Sequence, residues 1–254
     1  MSDYKKQLRK IQNKHSKNPL IILSEIKKQV NPGEFENAIN TDFRLKNFKT
    51  TNLKFSDILG IKQRDALVFT SDIKRELFWL FYNFKQEAVF LNSFLQNKAD
   101  FEKLFILCQY DAAQDLLNEI RKNFGESLWT LEMTLLLKEY QFETKENWVE
   151  LSNFLTQIKS PFYQFVINFY SKRIEENMSF ENCFILFQND FNGVNTYDYV
   201  RDFIVFKCLF IANFEYCYEN LDSVLYISNI YGVIDQYLIT IEVLMRLVSQ
   251  NSNN

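Results

Sequence analysis

Glycine and proline are scarce in this chain, which has five Gly and three Pro among its 254 residues. All-β folds and doubly wound α/β folds need these residues in their many tight turns. The five glycines are also at least 27 residues apart, so they cannot form a phosphate-binding loop of the dinucleotide or P-loop type. The scarcity therefore excludes both nucleotide-binding routes and favours a helical protein.

Histidine and cysteine are almost as rare, with one His and four Cys. No two of them have the spacing of zinc ligands, so we expect no metal ion and no cofactor. The cysteines show no paired spacing and lie in apolar surroundings, which indicates buried, reduced thiols in a cytoplasmic protein. They are Cys108, Cys183, Cys208 and Cys217.

Long apolar runs are also missing. The longest, from Phe203 to Phe214, is interrupted by Lys207 and is too short to cross a bilayer. The chain begins with charged residues that no apolar run follows, so we expect neither a secretory signal nor a membrane span.

Aromatic residues, in contrast, are abundant, with 26 Phe and 13 Tyr. In a chain poor in turn residues, this composition indicates large apolar surfaces packed between helices. No Ser/Gly-rich or Pro-rich linker divides the chain. We therefore expect one continuous helical array.

The stretch 108–137 predicts two helices that share a compact turn. From Tyr110 to Phe124, the apolar residues fall in one arc of about 160° on a helical wheel. Gly125 supplies a left-handed residue that can end this helix, and Ser127 can cap the next. We predict that Phe124 and Trp129 are buried between neighbouring hairpins.

The same reasoning along the chain predicts an all-α fold without a sheet, built as an array of antiparallel helical hairpins. A long helix should run from Thr70 to Asn97 with Ser71 as its cap. The further predicted helices are 3–15, 19–26, 99–108, 110–124, 127–140, 144–159, 161–177, 179–191, 196–214, 217–229 and 231–249.

Part of this array resembles the second half of a tetratricopeptide repeat. The small-aromatic-small pattern of that family is matched by Cys108, Tyr110 and Ala113, followed by Leu117 and Ile120, and again by Ala212, Phe214, Cys217 and Leu221. The chain departs from the family in the first helix of the repeat, where the expected Trp, Leu, Gly and Tyr fall on Asn97, Asp100, Phe101 and Leu104. The resemblance covers about 45 residues at most and implies a tetratricopeptide-like α-solenoid that binds a protein partner.

Charge divides the chain into two parts. Residues 1–54 hold twelve Lys/Arg and five Asp/Glu, whereas residues 55–254 hold seventeen and twenty-seven. We predict a basic N-terminal segment at 1–54 and the helical array at 55–254. The candidate polyanion-binding residues of the first segment are Lys5, Lys6, Arg9, Lys10, Lys14 and Lys17.

These basic residues leave several alternatives open. They can be a solvated surface helix, or they can contact phosphate groups with strongly salt-dependent affinity. An anionic membrane, an acidic partner or the acidic array of the same chain would serve equally well. Arg9 and His15 also have a spacing similar to the R-x(4–6)-H motif of HEPN-type ribonucleases, which implies a remote catalytic alternative.

The helix predicted at 231–249 is apolar over most of its surface. Its polar residues, Asp235, Glu242, Arg246 and Ser249, form only a narrow stripe. The outer helix of a solenoid normally has a polar face, so we expect the flank formed by Ile239, Val243 and Leu247 to bind a protein partner or a second copy, unless the helix turns back into the array.

The function that the sequence favours is that of a non-catalytic helical-repeat interaction or scaffold protein. The first alternative is an accessory nucleic-acid-binding subunit that uses the basic N-terminal helix. Both are expectations from the residue patterns alone.

Overall fold

The computed structural model describes residues 6, 9–11, 13, 19–41, 72–158, 161–192, 198–208, 220–228 and 232–252. Within these ranges all regular structure is helical and no strand is present, which confirms the all-α prediction. None of the helices described is long and apolar enough to cross a membrane.

Twelve α-helices have both ends within the described ranges, together with a 3-10 turn at Pro32–Glu34. Residues 6, 9–11 and 13, which precede them, are also helical. In chain order they are α1 (Pro19–Gln29), α2 (Phe35–Thr41), α3 (Ile73–Gln86), α4 (Ala88–Ile106), α5 (Tyr110–Phe124), α6 (Leu128–Phe142), α7 (Thr144–Gln157), α8 (Pro161–Ile174), α9 (Phe180–Asn192), α10 (Asp198–Cys208), α11 (Leu221–Ser228) and α12 (Val233–Ser252).

The turn between α5 and α6 has the predicted chemistry. Gly125 ends α5 with φ 84°, a backbone conformation that favours glycine. The Ser127 hydroxyl accepts a hydrogen bond from the Thr130 backbone N–H at 3.1 Å, and the Thr130 hydroxyl accepts one from the Ser127 N–H at 2.8 Å. This reciprocal cap satisfies two amides that the helix itself cannot satisfy.

The start of the array differs from the prediction. The two helices expected at 70–97 and 99–108 are instead α3 and α4, and the break between them lies at Glu87. No glycine or proline marks this break, so the local pattern gave no signal for it. The cap of α3 is Asp72, whose carboxylate accepts a hydrogen bond from the Arg75 backbone N–H at 3.2 Å.

Aromatic rings form the centre of the main core. The ring centroids of Phe94 and Trp129 are 5.4 Å apart and perpendicular, and Phe101 lies 5.5 Å from Trp129. Phe124 lies 5.7 Å from Phe94. Phe124 and Trp129 are both buried, as predicted, and such edge-to-face pairs add about 0.5–1.5 kcal/mol each to area burial.

Successive helices pack against one another from α4 to α7, and α8 packs against α6, α7 and α10. The last helix, α12, packs against α3 and α4 as well as α11. In a solenoid each repeat contacts only its neighbours, so this return of α12 adds a closing contact that a simple stack lacks.

The segment that resembles a tetratricopeptide repeat lies in the α4–α5 connector and α5. Tyr110 begins α5, and Ala113, Leu117 and Ile120 are buried on one face. Of the second match, only Leu221, the first residue of α11, lies in the described ranges.

The N-terminal segment packs on α3 through a second, smaller core. Its buried members are Ile11, Ile22, Leu23, Ile26, Val30, Ala38 and Trp79. Trp79 belongs to α3, so residues of the predicted N-terminal segment and of the predicted array share this core. The proposed boundary at residue 54 lies outside the described residues.

A buried ion pair joins the two parts. The Lys27 ammonium on α1 donates to the Glu76 carboxylate on α3 at 2.6 Å, and both side chains are almost completely buried. Burial lowers the pKa of Lys27, and the charge and hydrogen bond of Glu76 oppose this effect. The guanidinium of Arg75 also donates to the Lys27 and Val30 carbonyls at 2.9 and 3.1 Å, which satisfies the end of α1.

Candidate protein-interaction surface

Three connectors lie at the same end of the helical array. Consecutive helices joined by such short connectors run antiparallel, so the α4–α5, α6–α7 and α8–α9 connectors share one end. Side-chain contacts between them support this placement. The rings of Phe105 and Tyr140 are 5.3 Å apart, and the Gln141 amide donates to the Asp111 carboxylate at 2.6 Å.

The buried carboxylate of Glu139 holds two of these connectors together. It accepts hydrogen bonds from the Thr144 hydroxyl at 2.7 Å, the Asn147 amide at 2.9 Å and the Glu176 backbone N–H at 3.2 Å. These donors belong to α7 and to the α8–α9 connector. A buried carboxylate with several donors fixes its neighbours firmly, so this end of the array is a rigid surface.

Large apolar side chains are exposed on this surface, which we call the connector edge. Of the fourteen large apolar residues exposed within the described ranges, seven lie here. They are Ile106, Leu107, Tyr140, Phe142, Trp148, Val149 and Phe180. Apolar exposure concentrated in one place is typical of an interaction site, whereas single exposed residues need no explanation.

Trp148 is the largest of these side chains and its orientation is fixed. It is 56 % exposed, and its indole N–H donates to the Glu175 carboxylate at 2.8 Å. The face of the ring is therefore held open to solvent while its polar atom is satisfied. Tryptophan and tyrosine fixed in this way dominate the affinity of many protein interfaces.

Both non-glycine residues with positive φ in the described ranges lie in connectors of this edge. They are Cys108, with φ 56°, and Glu143, with φ 72°. Such conformations cost about 1–3 kcal/mol each and concentrate at functional sites. Cys108 was expected to be buried, but its thiol is exposed, because the residue lies in the α4–α5 connector and not within a helix.

The edge is strongly acidic. Its three segments, 100–116, 138–150 and 175–181, contain eleven Asp/Glu and three Lys/Arg. Of the eleven acidic residues only Glu139 is buried. Apolar side chains therefore lie among exposed negative charges, and the Lys138 ammonium lies over the ring of Phe142 at 5.1 Å.

A second feature lies on the inner side of α12. The Asp235 carboxylate accepts hydrogen bonds from the backbone N–H groups of Leu128 at 2.9 Å and Trp129 at 3.3 Å, so it caps α6 from a distant helix. Burial raises the pKa of Asp235 to about 6, and Glu132 adds to the rise, whereas the two N–H groups and Lys207 oppose it.

A cavity of about 400 Å³ adjoins Asp235, between α4, α6, α8, α10 and α12. The charged groups in its wall already have partners: Lys207 pairs with Glu242 at 2.5 Å, Glu132 with Arg173, and Lys98 with Glu102, while Asp235 accepts from two backbone N–H groups. A ligand would have to break these pairs, so the cavity is a weaker candidate than the connector edge. Within the described ranges no group of His, Cys, Asp or Glu is arranged to hold a metal ion.

The C-terminal flank predicted to bind a partner is packed inside the fold. Ile239 and Val243 are buried, and Leu247 is half-buried against the core. This corrects the prediction that the three form an open surface. The cause is the return of α12 onto α3 and α4, which turns this flank inward.

Three polar residues of α12 have partners elsewhere in the fold. Asp235 caps α6, Glu242 pairs with Lys207, and the Arg246 guanidinium donates to the Phe206 carbonyl at 2.7 Å. The exposed apolar residues of this helix are instead Met245 and Val248. Buried polar residues of this kind need such partners, and the partners lie far away in the sequence.

Three of the candidate polyanion-binding residues, Lys6, Arg9 and Lys10, are exposed on a helix. Ile11, which follows Lys10, is buried in the smaller core, whereas the three basic residues are exposed. The other three, Lys5, Lys14 and Lys17, lie outside the described residues, and so does His15 of the suggested ribonuclease pair.

Residue patterns did not reveal the connector edge. Its apolar residues lie at helix ends, outside the periodic face of each helix, and they become one surface only when three connectors meet. The single local signal was that no glycine lies between α6 and α7. Glu143 therefore occupies the positive-φ position there, in a strained conformation.

No model of a known protein family matches the chain, and neither a curated protein nor a solved structure matches it. The candidate site therefore rests on the residues and geometry of this chain.

Proposed function

We propose that the protein is a non-catalytic helical interaction protein that binds a protein partner through the connector edge. The observation that carries this proposal is the row of exposed apolar side chains, including Trp148, on an end that Glu139 holds rigid. A rigid surface with aromatic anchors loses little conformational entropy on binding. We therefore propose that this rigid binding surface serves as a scaffold.

The tetratricopeptide-like part of the proposal applies to α4–α7, where consecutive helices pack in hairpin fashion. The contacts of α12 with α3 and α4 favour a closed helical array over an extended superhelix. In this array the connector edge is the surface that is open to a partner. Self-association through α12 would have to use Met245 and Val248. We place the protein in a reducing compartment, the cytoplasm, because Cys108 and Cys183 are free thiols.

The test compares proteins that co-purify with the wild type and with an edge variant. We choose Ile106→Ser, Leu107→Ser and Phe142→Ser together, since all three side chains are exposed. The matched control carries Val89→Ser, Met245→Ser and Val248→Ser, which are exposed elsewhere. The proposal expects specific partners to be lost from the edge variant alone. Retention of every partner by the edge variant would contradict it.

A second candidate, an accessory nucleic-acid-binding subunit, is favoured by the outward position of Lys6, Arg9 and Lys10. Contacts of such residues with phosphate are independent of base sequence and weaken steeply with salt. The ribonuclease alternative depends on His15 and has no further support among the described residues.

A further inference from the structure

We propose that the element recognised by the connector edge is a basic amphipathic helix of the partner protein. This inference rests on the proposed function and names the chemistry of the partner. It follows from the combination of exposed apolar side chains with a surrounding excess of negative charge on the same rigid surface.

The apolar side of the match comes from three connectors. Leu107 extends from the first connector, Tyr140 and Phe142 from the end of α6, Trp148 from α7 and Phe180 from the start of α9. Together they form a surface that crosses several helix ends. A partner helix with apolar residues at positions i, i+3, i+4 and i+7 presents one stripe to such a surface.

The charged side of the match comes from the distribution of acidic residues. The three edge segments have a net charge of −8, from eleven acidic and three basic residues, whereas the rest of the chain has 26 basic and 21 acidic residues and a net charge of +5. The acidity is thus concentrated at the apolar surface. Complementary charge around an apolar centre selects the partner and speeds association.

The same charges disfavour other occupants. A nucleic acid or an anionic membrane would be repelled by exposed Glu143, Glu146 and Glu176. A symmetric pair of two copies would bring one acidic edge against another, since a two-fold interface uses the same patch on both chains. An amphipathic element with basic and apolar residues is not repelled by these acidic side chains.

Trp148 provides the signal for a direct test. The other two tryptophans, Trp79 and Trp129, are each 7 % exposed, so a ligand at the edge changes the emission of Trp148 alone. The probe is a synthetic amphipathic helical peptide of Leu and Lys, with Leu at helical spacing. Its comparison peptide has Glu in place of every Lys.

We expect the Lys peptide to shift tryptophan emission to the blue and to bind more weakly as salt increases, and we expect no binding of the Glu peptide. Glu143→Lys with Glu146→Lys should weaken binding about tenfold or more. The control reverses two exposed acids elsewhere, Glu119→Lys with Asp198→Lys, and should retain wild-type affinity. If the first variant has a lower thermal midpoint, Glu176→Lys with Glu181→Lys makes the same charge change on the α8–α9 connector and the first turn of α9.

Equal binding of the two peptides, or an equal loss in the edge and control variants, would overturn the proposed partner chemistry. If the Lys peptide fails to bind while co-purifying proteins still depend on Ile106, Leu107 and Phe142, the basic helix is the wrong partner element and the interaction function stands. If co-purification does not depend on these residues, the interaction function itself fails.

Discussion

Glu143 has the same backbone conformation as Gly125. The two residues end α6 and α5, with φ and ψ of 72° and 172° for Glu143 and 84° and 178° for Gly125. This region is almost exclusive to glycine, since a side chain meets its own backbone there. At the opposite end of the array this position is occupied by glycine, which is not strained there. At the connector edge it is occupied by Glu143, which is strained and exposed to solvent.

The first prediction follows from this pair. Glu143→Gly should raise the free energy of unfolding by about 1–2 kcal/mol, because relief of strain exceeds the entropic cost of glycine. The reverse change, Gly125→Ala, should lower it. Urea denaturation of the two variants and the wild type measures both effects. A less stable Glu143→Gly variant would show that the glutamate conformation is not strained.

The second prediction concerns the aromatic core. Trp129→Ala should lower the free energy of unfolding by about 3–5 kcal/mol, since it leaves a cavity among Phe94 and Phe101. Trp148→Ala is the matched control on the surface and should change stability far less. Thermal unfolding distinguishes the two, and an unchanged midpoint for Trp129→Ala would refute the packing of this core.

The third prediction is a pH dependence. The pKa of Asp235 is about 6 in the folded state, above its ordinary value of 3.8, so the folded protein binds this proton more tightly than the unfolded chain does. The resulting stabilisation is complete below pH 3.8 and is lost as the pH rises through 6. It amounts to about 3 kcal/mol.

The measurement compares the wild type with Asp235→Asn, which cannot titrate. The free energy of unfolding of the wild type, relative to the variant, should decline between about pH 4 and pH 6. Other titrating groups cancel in this difference. Parallel stability curves for the two proteins would mean that Asp235 titrates normally.

The fourth prediction concerns the buried pair of Lys27 and Glu76. Glu76→Ala should cost about 3–5 kcal/mol because it removes the carboxylate that pairs with the buried Lys27 ammonium. Replacement of both residues, as Lys27→Met with Glu76→Leu, should cost much less, since no charge then remains to be desolvated. Chemical denaturation of the single and double variants tests this order, and an equal loss in both would refute it.

The fifth prediction concerns the basic N-terminal helix. If Lys6, Arg9 and Lys10 bind phosphate, their replacement by Glu should abolish retention on a polyanion column at low salt. The control replaces three exposed lysines elsewhere, Lys74, Lys122 and Lys145, and should still be retained. Unchanged elution of the first variant would leave these residues as a solvated surface.

Much of the local structure could be predicted because it depends on local chemistry. The 3.6-residue period located α5 and most other helices, and Gly125 and Ser127 marked the turn that follows. The break at Glu87 was missed because neither glycine nor proline marks it. The local sequence pattern therefore predicts a helix end where a specific residue type causes it. It does not predict a helix end that is caused by tertiary packing.

The candidate site was harder to predict for the same reason. The flank of Ile239 and Val243 was correctly identified as apolar, but whether it meets solvent or the core depends on α3 and α4, more than 100 residues earlier. The connector edge also depends on contacts between distant segments, such as that between Trp148 and Glu175. Neither relationship is encoded in a periodicity of 3.6 residues.

The cap that Asp235 places on α6 has a consequence for biosynthesis. The carboxylate satisfies backbone N–H groups that lie 107 and 106 residues earlier in the chain, so these two N–H groups of α6 have no such partner until Asp235 has been synthesised. The faces of α3 and α4 that pack against α12 also remain uncovered until α12 has been synthesised. Contacts of such high sequence separation slow folding and leave apolar surface exposed in the meantime. The nascent chain therefore completes this core only after α12 has been synthesised, and a chain that stops before α12 is expected to aggregate or to depend on chaperones.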